Sequence, residues 1–238
     1  VKLSLSNWLS PQRDFPVSGR LRYNWLMKNF RTILACSILD ISTSEALCEP
    51  VKGVVELFTS QSCSSCPPAD KVFGEVIKRE GVLGLAFHVD YWNYLNWKDT
   101  FSSAESTQRQ RDYAQSLHSS QVYTPQLIVN GKHVVSAGSP EKLAKVMDAA
   151  GTGSALPVAV EAELVNGRLH VAAGAGSGEA NLVLAVFDER ETVNVERGEN
   201  GGKKLVYHNA VTGLRTIGMW KGKAMEVELP RKEYLNKT

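Results

Sequence analysis

Glu56-Leu57-Phe58-Thr59-Ser60-Gln61-Ser62-Cys63-Ser64-Ser65-Cys66-Pro67-Pro68-Ala69-Asp70 is the stretch on which the fold turns. Residues 51–58 (VKGVVELF) are apolar and β-branched, bounded by Pro50 and a polar run, and read as a buried strand. Residues 67–80 open with two prolines and Asp70, then place Val72, Phe73, Val76 and Ile77 on one helical face. A C-x-x-C pair therefore lies between a strand and a helix. Free N–H groups and the positive dipole end at a helix N-terminus favour a thiolate over a thiol. A thiolate attacks a disulfide, and a second thiol three residues on can resolve the mixed intermediate. Pro67 and Pro68 lack N–H groups and fit only the opening turn. This order leaves Cys63 in an exposed loop as nucleophile, with Cys66 more buried as its resolving partner.

Outward from the dithiol, residues 82–90 (VLGLAFHVD) form a second buried strand. Residues 103–118 have helical character with Ser102 or Ser103 as cap. QLIVN and KHVVSA flank Asn130-Gly131, a strong hairpin signal. Ser139-Pro140-Glu141 opens a last helix through about Ala149. The order β-α-β-α-β-β-α implies an α/β domain over residues 51–152, a mixed sheet with helices on both faces. Beyond Gly151 the period changes. Residues 157–165, 168–173, 181–187, 204–208 and 224–229 read as short strands, separated by turn and glycine-rich runs that include Gly198–Gly202. Residues 153–238 are expected to form a small all-β, sandwich-like domain, cut short where a terminal strand would follow residue 230.

Residues 1–50 read as an N-terminal arm. From Met27, MKNFRTILACSILDISTSEA has a basic start, a short apolar stretch broken by Asp40, and a small-x-small pair at Ser44 and Ala46. It is read as a candidate export leader, the alternative being a peripheral arm. Periplasmic or secreted localisation is the expectation. The apolar run Ile33–Ile38 is far short of the roughly 18–20 residues that span a bilayer. With 43% hydrophobic and 22% charged residues and a net charge of +2, composition gives no reason to expect nucleic acid or an anionic membrane as partner.

Four cysteines are too few for a disulfide-built scaffold, and the pairing of Cys36 and Cys48 is left open. An isolated C-x-x-C can be half of a zinc site, but no second C-x-x-C or H-x-x-x-H accompanies it. No cofactor or resident metal is assigned. Residues 88–101 crowd Tyr91, Trp92, Tyr94 and Trp97 at the end of a strand. Their ordinary role is to pin a loop or the second domain, and their functional one is to wall a substrate groove.

Strand, C-x-x-C, helix, strand, then Thr124-Pro125 before a strand, hairpin and helix resembles the thioredoxin fold over about residues 51–150. The resemblance implies a cis Pro125 facing the dithiol and a substrate chain bound by the backbone of Thr124. It also implies a buried acid that assists proton transfer, for which Glu56 is the candidate, offset by one residue. A strand-end glutamate facing solvent is the alternative there. More narrowly, ELFTSQSCSSCPPAD, HVDYWNYLNWKD, YTPQLIVNG and GENGGKKLVYHNAV look like the bacterial, mostly secreted family DUF1223, a thioredoxin-like domain followed by a β-rich one. That family's activity is not established. Ser62 stands where many oxidoreductases carry tryptophan, and the intervening pair is Ser-Ser, so only modest acidification of Cys63 is expected.

The expectation is an exported thiol–disulfide oxidoreductase acting on protein or small-molecule disulfides together with a redox partner. Cys63 attacks, Cys66 resolves, Pro125 shapes the contact surface, and Thr124, Tyr91 and Trp92 bind substrate. Two alternatives stay open. One is a non-catalytic binding module with a static disulfide. The other is a protein that handles Cu(I) with both thiolates and His88.

Overall fold

The structure, a computed structural model, describes residues 2–5, 51–137, 140–153 and 156–235. The candidate leader from Met27, with Cys36 and Cys48, lies outside the described residues. In chain order the elements are β1 (Lys2–Leu5), β2 (Gly53–Thr59), α1 (Cys66–Val76), β3 (Val82–His88), α2 (Ala104–Ser116), β4 (Gln126–Val129), β5 (His133–Ser136), α3 (Pro140–Gly153), β6 (Val160–Val165), β7 (Arg168–Ala173), β8 (Ala180–Asn194), β9 (Lys204–Trp220), β10 (Met225–Pro230) and α4 (Arg231–Leu235).

Seven strands form a mixed sheet in the order β1-β8-β9-β3-β2-β4-β5, and β10-β7-β6 form a small antiparallel sheet. Strands β2 and β3 are parallel, joined through α1, while β4 runs antiparallel to β2 and β5 antiparallel to β4. Asn130 and Gly131 both take positive φ, as the tight turn between β4 and β5 requires. Successive side chains of a strand point to opposite faces. Val55 and Leu57 accordingly meet Phe73 of α1 and Leu143 of α3 on one side, and Val54 and Phe58 meet Tyr113 of α2 on the other. A separate core, with Leu169, Val171, Leu182 and Leu184, joins the small sheet to β8.

The large sheet crosses the division expected at residue 152. Strands β8 and β9 are far longer than anticipated and pair with each other along most of their length. Strand β9 then lies beside β3, with Ala86 opposite Ala210 and Asn209 Nδ2 donating to Gly84 O at 2.9 Å. The charged run Asp188–Glu191 hides the second half of β8 from an apolar pattern, and cross-strand pairing supplies what local propensity does not. Helix α1 also packs on β9. A Cβ on Gly74 would stand 2.6 Å from His208 Cδ2, so this glycine sets the closeness of the approach. Two smaller features concern the termini: Lys2–Leu5, from the segment read as an arm, pair with β8, and residues 231–235 form a short helix. Among the described residues no helix is long and apolar enough to cross a membrane.

Glu56 does not face solvent. Its place between Val55 and Leu57 turns it towards α2, where it is 2% exposed. There Arg109 donates to both carboxylate oxygens, at 2.6 and 2.7 Å, and Tyr113 OH donates at 2.7 Å. Arg109 also lies over the Phe87 and Tyr113 rings. A carboxylate fixed by three donors at the α2 face is a structural anchor. Arg109→Ala strands that charge, and the expected cost is about 3–5 kcal/mol of folding free energy, measured by urea denaturation.

Candidate functional site

Strand β2 ends at Thr59, and the chain turns through Ser60–Ser65 before α1 begins at Cys66. Cys63 and Cys66 are joined as a disulfide with Cα atoms 5.4 Å apart. Two tight turns make this possible: Cys63 N–H donates to Ser60 O and Cys66 N–H to Cys63 O. Pro67 and Pro68 occupy the first helical turn, as their missing donors require. Cys63, however, is not exposed. It is 1% accessible and Cys66 0%, so only Ser64 and Ser65 reach solvent at the head of the motif.

Burial follows from what packs on the loop. Thr59, Ser60, Gln61 and Ser62 are all fully buried, and buried backbone groups need partners. From residues 97–100, Asp99 Oδ2 accepts the Gln61 N–H at 2.7 Å, and Trp97 Nε1 donates to Gln61 Oε1 at 2.8 Å. Thr100 Oγ1 accepts from Gln61 Nε2, and Ser62 Oγ donates to Trp97 O. From the connection between β8 and β9, the buried Asn200 donates through Nδ2 to Gln61 O at 3.0 Å and to Cys63 O at 2.8 Å. Its neighbour Glu199 accepts from Ser64 N–H at 2.9 Å. This hydrogen bonding holds the exposed Glu199 carboxyl below its usual range.

Thr124-Pro125 is a cis peptide bond, and Pro125 immediately precedes β4. Phe58 of β2 pairs with Gln126, so the register brings Pro125 to the end of the sheet from which the dithiol loop departs. Gln110 fixes this corner, donating to Tyr123 O and Gln126 Oε1 at 2.8 Å each while Tyr91 OH donates to its carbonyl. Trp92 Nε1 donates to Thr124 Oγ1 at 2.8 Å, and Tyr94, 72% exposed, stacks on Trp92. The aromatic cluster thus packs and borders the corner at once: Trp97 braces the dithiol loop, and Trp92 braces Thr124.

Beneath the loop lies a buried polar cluster that sequence reasoning missed. Asp70 is one turn after Cys66, so both share a face of α1. Thr59 Oγ1 donates to Asp70 Oδ1 at 2.8 Å, whereas Oδ2 has no protein partner. His88 Nδ1 lies 2.8 Å from Asp99 Oδ2, and its ring sits edge-on to Tyr207 at 4.7 Å. His88 Nε2 and the Tyr207 hydroxyl are likewise buried without partners. Burial pushes the Asp70 carboxyl up to about 7, although the His88 charge and the Thr59 bond oppose it. Burial opposes a charge on His88, but the Asp99 charge and hydrogen bond outweigh it and raise the imidazole. Asp99 is likewise penalised by burial yet held below its ordinary value by His88 and two backbone N–H groups. Burial, with the Asp70 and Asp99 charges, raises the Tyr207 phenol. The only sequence signal was the i, i+4 spacing of Cys66 and Asp70.

His88, named as a copper ligand with the two sulfurs, is thus paired with Asp99. Among the described residues no group of three or more His, Cys, Asp and Glu is arranged to hold a metal ion.

The raised Asp70 carboxyl makes a test of the cluster. Folded Asp70 keeps its proton to about pH 7, whereas an unfolded aspartate loses it near 3.9. Its contribution to stability is therefore complete below about pH 4, declines as pH rises, and levels off above pH 7. Asp70→Asn is expected to flatten the stability–pH curve between those limits, by of order 1 kcal/mol per pH unit, in urea denaturation of the oxidised protein.

A crystal structure of a protein from Agrobacterium tumefaciens is similar to this chain, with 42% identity over 78% of this chain and 81% of that one and a TM-score of 0.69. HBP35 of Porphyromonas gingivalis shares the fold more distantly, at 14% identity over 74% of this chain and 62% of its own, with a TM-score of 0.51. Comparison with curated proteins found no match. The sequence profile described as "Protein of unknown function (DUF1223)" matches residues 54–238, and the chain belongs to that family.

Proposed function

We propose that this protein is an exported thiol–disulfide oxidoreductase on a thioredoxin-like scaffold, with the Cys63–Cys66 couple as its working part. The observation that carries the reading is the disulfide at the start of α1, with cis Thr124-Pro125 on the neighbouring strand at the same end of the sheet. In the reducing direction, the Cys63 thiolate attacks one sulfur of a substrate disulfide and expels the other as a thiolate. Cys66 then attacks the Cys63 sulfur and releases the second substrate thiolate. Two electrons leave the protein, which ends as the disulfide, and the substrate ends as two thiols after protonation. The same steps run backwards if a partner reoxidises substrate thiols through the protein. Asp70, on the face of α1 that carries Cys66 and titrating at about 7, is placed to take the Cys66 proton as the second step begins. Glu56, held by Arg109 and Tyr113 on the α2 face, is the less suited acid for that step. Thr124, Trp92 and Tyr91 border the corner where a disulfide-bearing chain would lie, with the exposed Tyr94 extending that surface. Export rests on the leader-like segment from Met27.

The burial of Cys63 favours a second reading, a binding module that keeps the bond as a static clamp. Turnover separates the two. In an insulin-type disulfide reduction assay, Cys63→Ser is expected to abolish activity and Cys66→Ser to accumulate a covalent mixed disulfide with substrate. Equal rates for wild type and Cys63→Ser would refute the enzymatic reading.

A further inference from the structure

Residues 195–203 join β8 to β9, and the proposed chemistry makes no use of them. Three successive residues, Gly198, Glu199 and Asn200, nevertheless contact the dithiol loop. Gly198 lies against Ser62 and Trp97: a Cβ there would stand 3.1 Å from Ser62 Oγ and 3.4 Å from Trp97 Cβ. Glu199 accepts from Ser64 N–H. Asn200, 0% exposed, donates to the carbonyls of Gln61 and Cys63 from more than 130 positions away in sequence. The tip is itself well built. Val195 N–H bonds Lys203 O, Gly202 N–H bonds Val195 O, and Lys203 Nζ donates to Asn200 Oδ1, orienting the amide so that its NH₂ faces the loop.

We propose that this hairpin tip is a strap closed over the dithiol and that Asn200 is its latch, a positioning residue that controls access to Cys63. Two sides cover the loop. The side made by residues 97–100 is tied down by Asp99, which is itself fastened to His88, Gln61 and Phe101. The other side is held to the loop by the two Asn200 bonds and the exposed Glu199 contact. With Cys63 only 1% exposed, a substrate disulfide has no in-line approach to its sulfur, so one side must lift. Fewer bonds release the tip, and its lifting leaves the His88–Asp99 pair undisturbed. The inference rests on the reading that Cys63 and Cys66 exchange with disulfides, and it gives the β8–β9 connection a role in that site.

The test is the rate at which dithiothreitol reduces the bond in folded, oxidised protein at fixed pH, followed by mass after acid quench and alkylation. In the wild type the rate is expected to level off as dithiothreitol rises, because opening of the strap becomes limiting. Asn200→Ala is expected to raise that ceiling about tenfold, the effect of losing roughly one hydrogen bond's worth of closure. Equal ceilings in two folded proteins, or a wild-type rate linear in dithiothreitol throughout, would overturn the strap. Should Asn200→Ala fail to fold, the wild-type curve decides alone, levelling off for the strap and linearity against it. The oxidoreductase reading fails separately, if insulin reduction is absent while the difference in ceiling persists.

Discussion

A loop that is buried must find a partner for every backbone polar group it carries, and this requirement organises the molecule around Ser60–Cys66. The loop departs from the large sheet at the end of β2, between β3 and β4, and its residues Ser60–Cys63 are buried. Its own turns satisfy some: Cys63 N–H to Ser60 O, Cys66 N–H to Cys63 O, and Ser62 N–H to Ser60 Oγ. The remainder come from afar, with Asp99 serving Gln61 N–H and Asn200 serving two carbonyls. Residues from two distant parts of the chain therefore help to hold one pair of sulfurs in place. The β-rich half is part of the site for this reason, since β9 carries Tyr207 and the β8–β9 tip carries Asn200.

Electrostatics follows from the same burial. Asp99 answers the loop amide with a carboxylate oxygen, and His88 Nδ1 lies 2.8 Å from that same oxygen, so that each raises or lowers the other towards its charged form. Beside that pair, Asp70 is a third buried acid, on the side of α1 that carries Cys66, and desolvation pushes its carboxyl up to about 7. The Glu56–Arg109–Tyr113 group, on the α2 face, is closed on itself and exchanges nothing with the dithiol. Two buried acids thus have opposite characters, one fixed by a guanidinium and one free to titrate.

Much of this could be read from local sequence. Strand–dithiol–helix, the Asn130-Gly131 hairpin, the cap at Ser103 and the strand after Pro125 each rest on residues within a few positions of one another, and each is present. Ser103 Oγ does accept from Ser106 N–H. What escaped depends on long-range pairing. That Glu56 faces α2 follows from sheet alternation, but that Arg109 waits there depends on how α2 lies across the strands. The loop carbonyls of Gln61 and Cys63 are met by Asn200, a residue in a glycine-rich run that by itself signals only a turn. The continuation of the sheet past residue 152 depends on β9 docking against β3 through small residues, Ala86 and Ala210, which carry no pattern.

Equilibrating the folded protein against glutathione buffers of graded potential tests most directly whether the Cys63–Cys66 bond is a working couple or a fixture. A working couple opens and recloses in the native fold with a single reversible midpoint, between about −300 and −120 mV. A bond that stays shut at the reducing end until the protein unfolds would contradict the redox role and leave a structural clamp in its place.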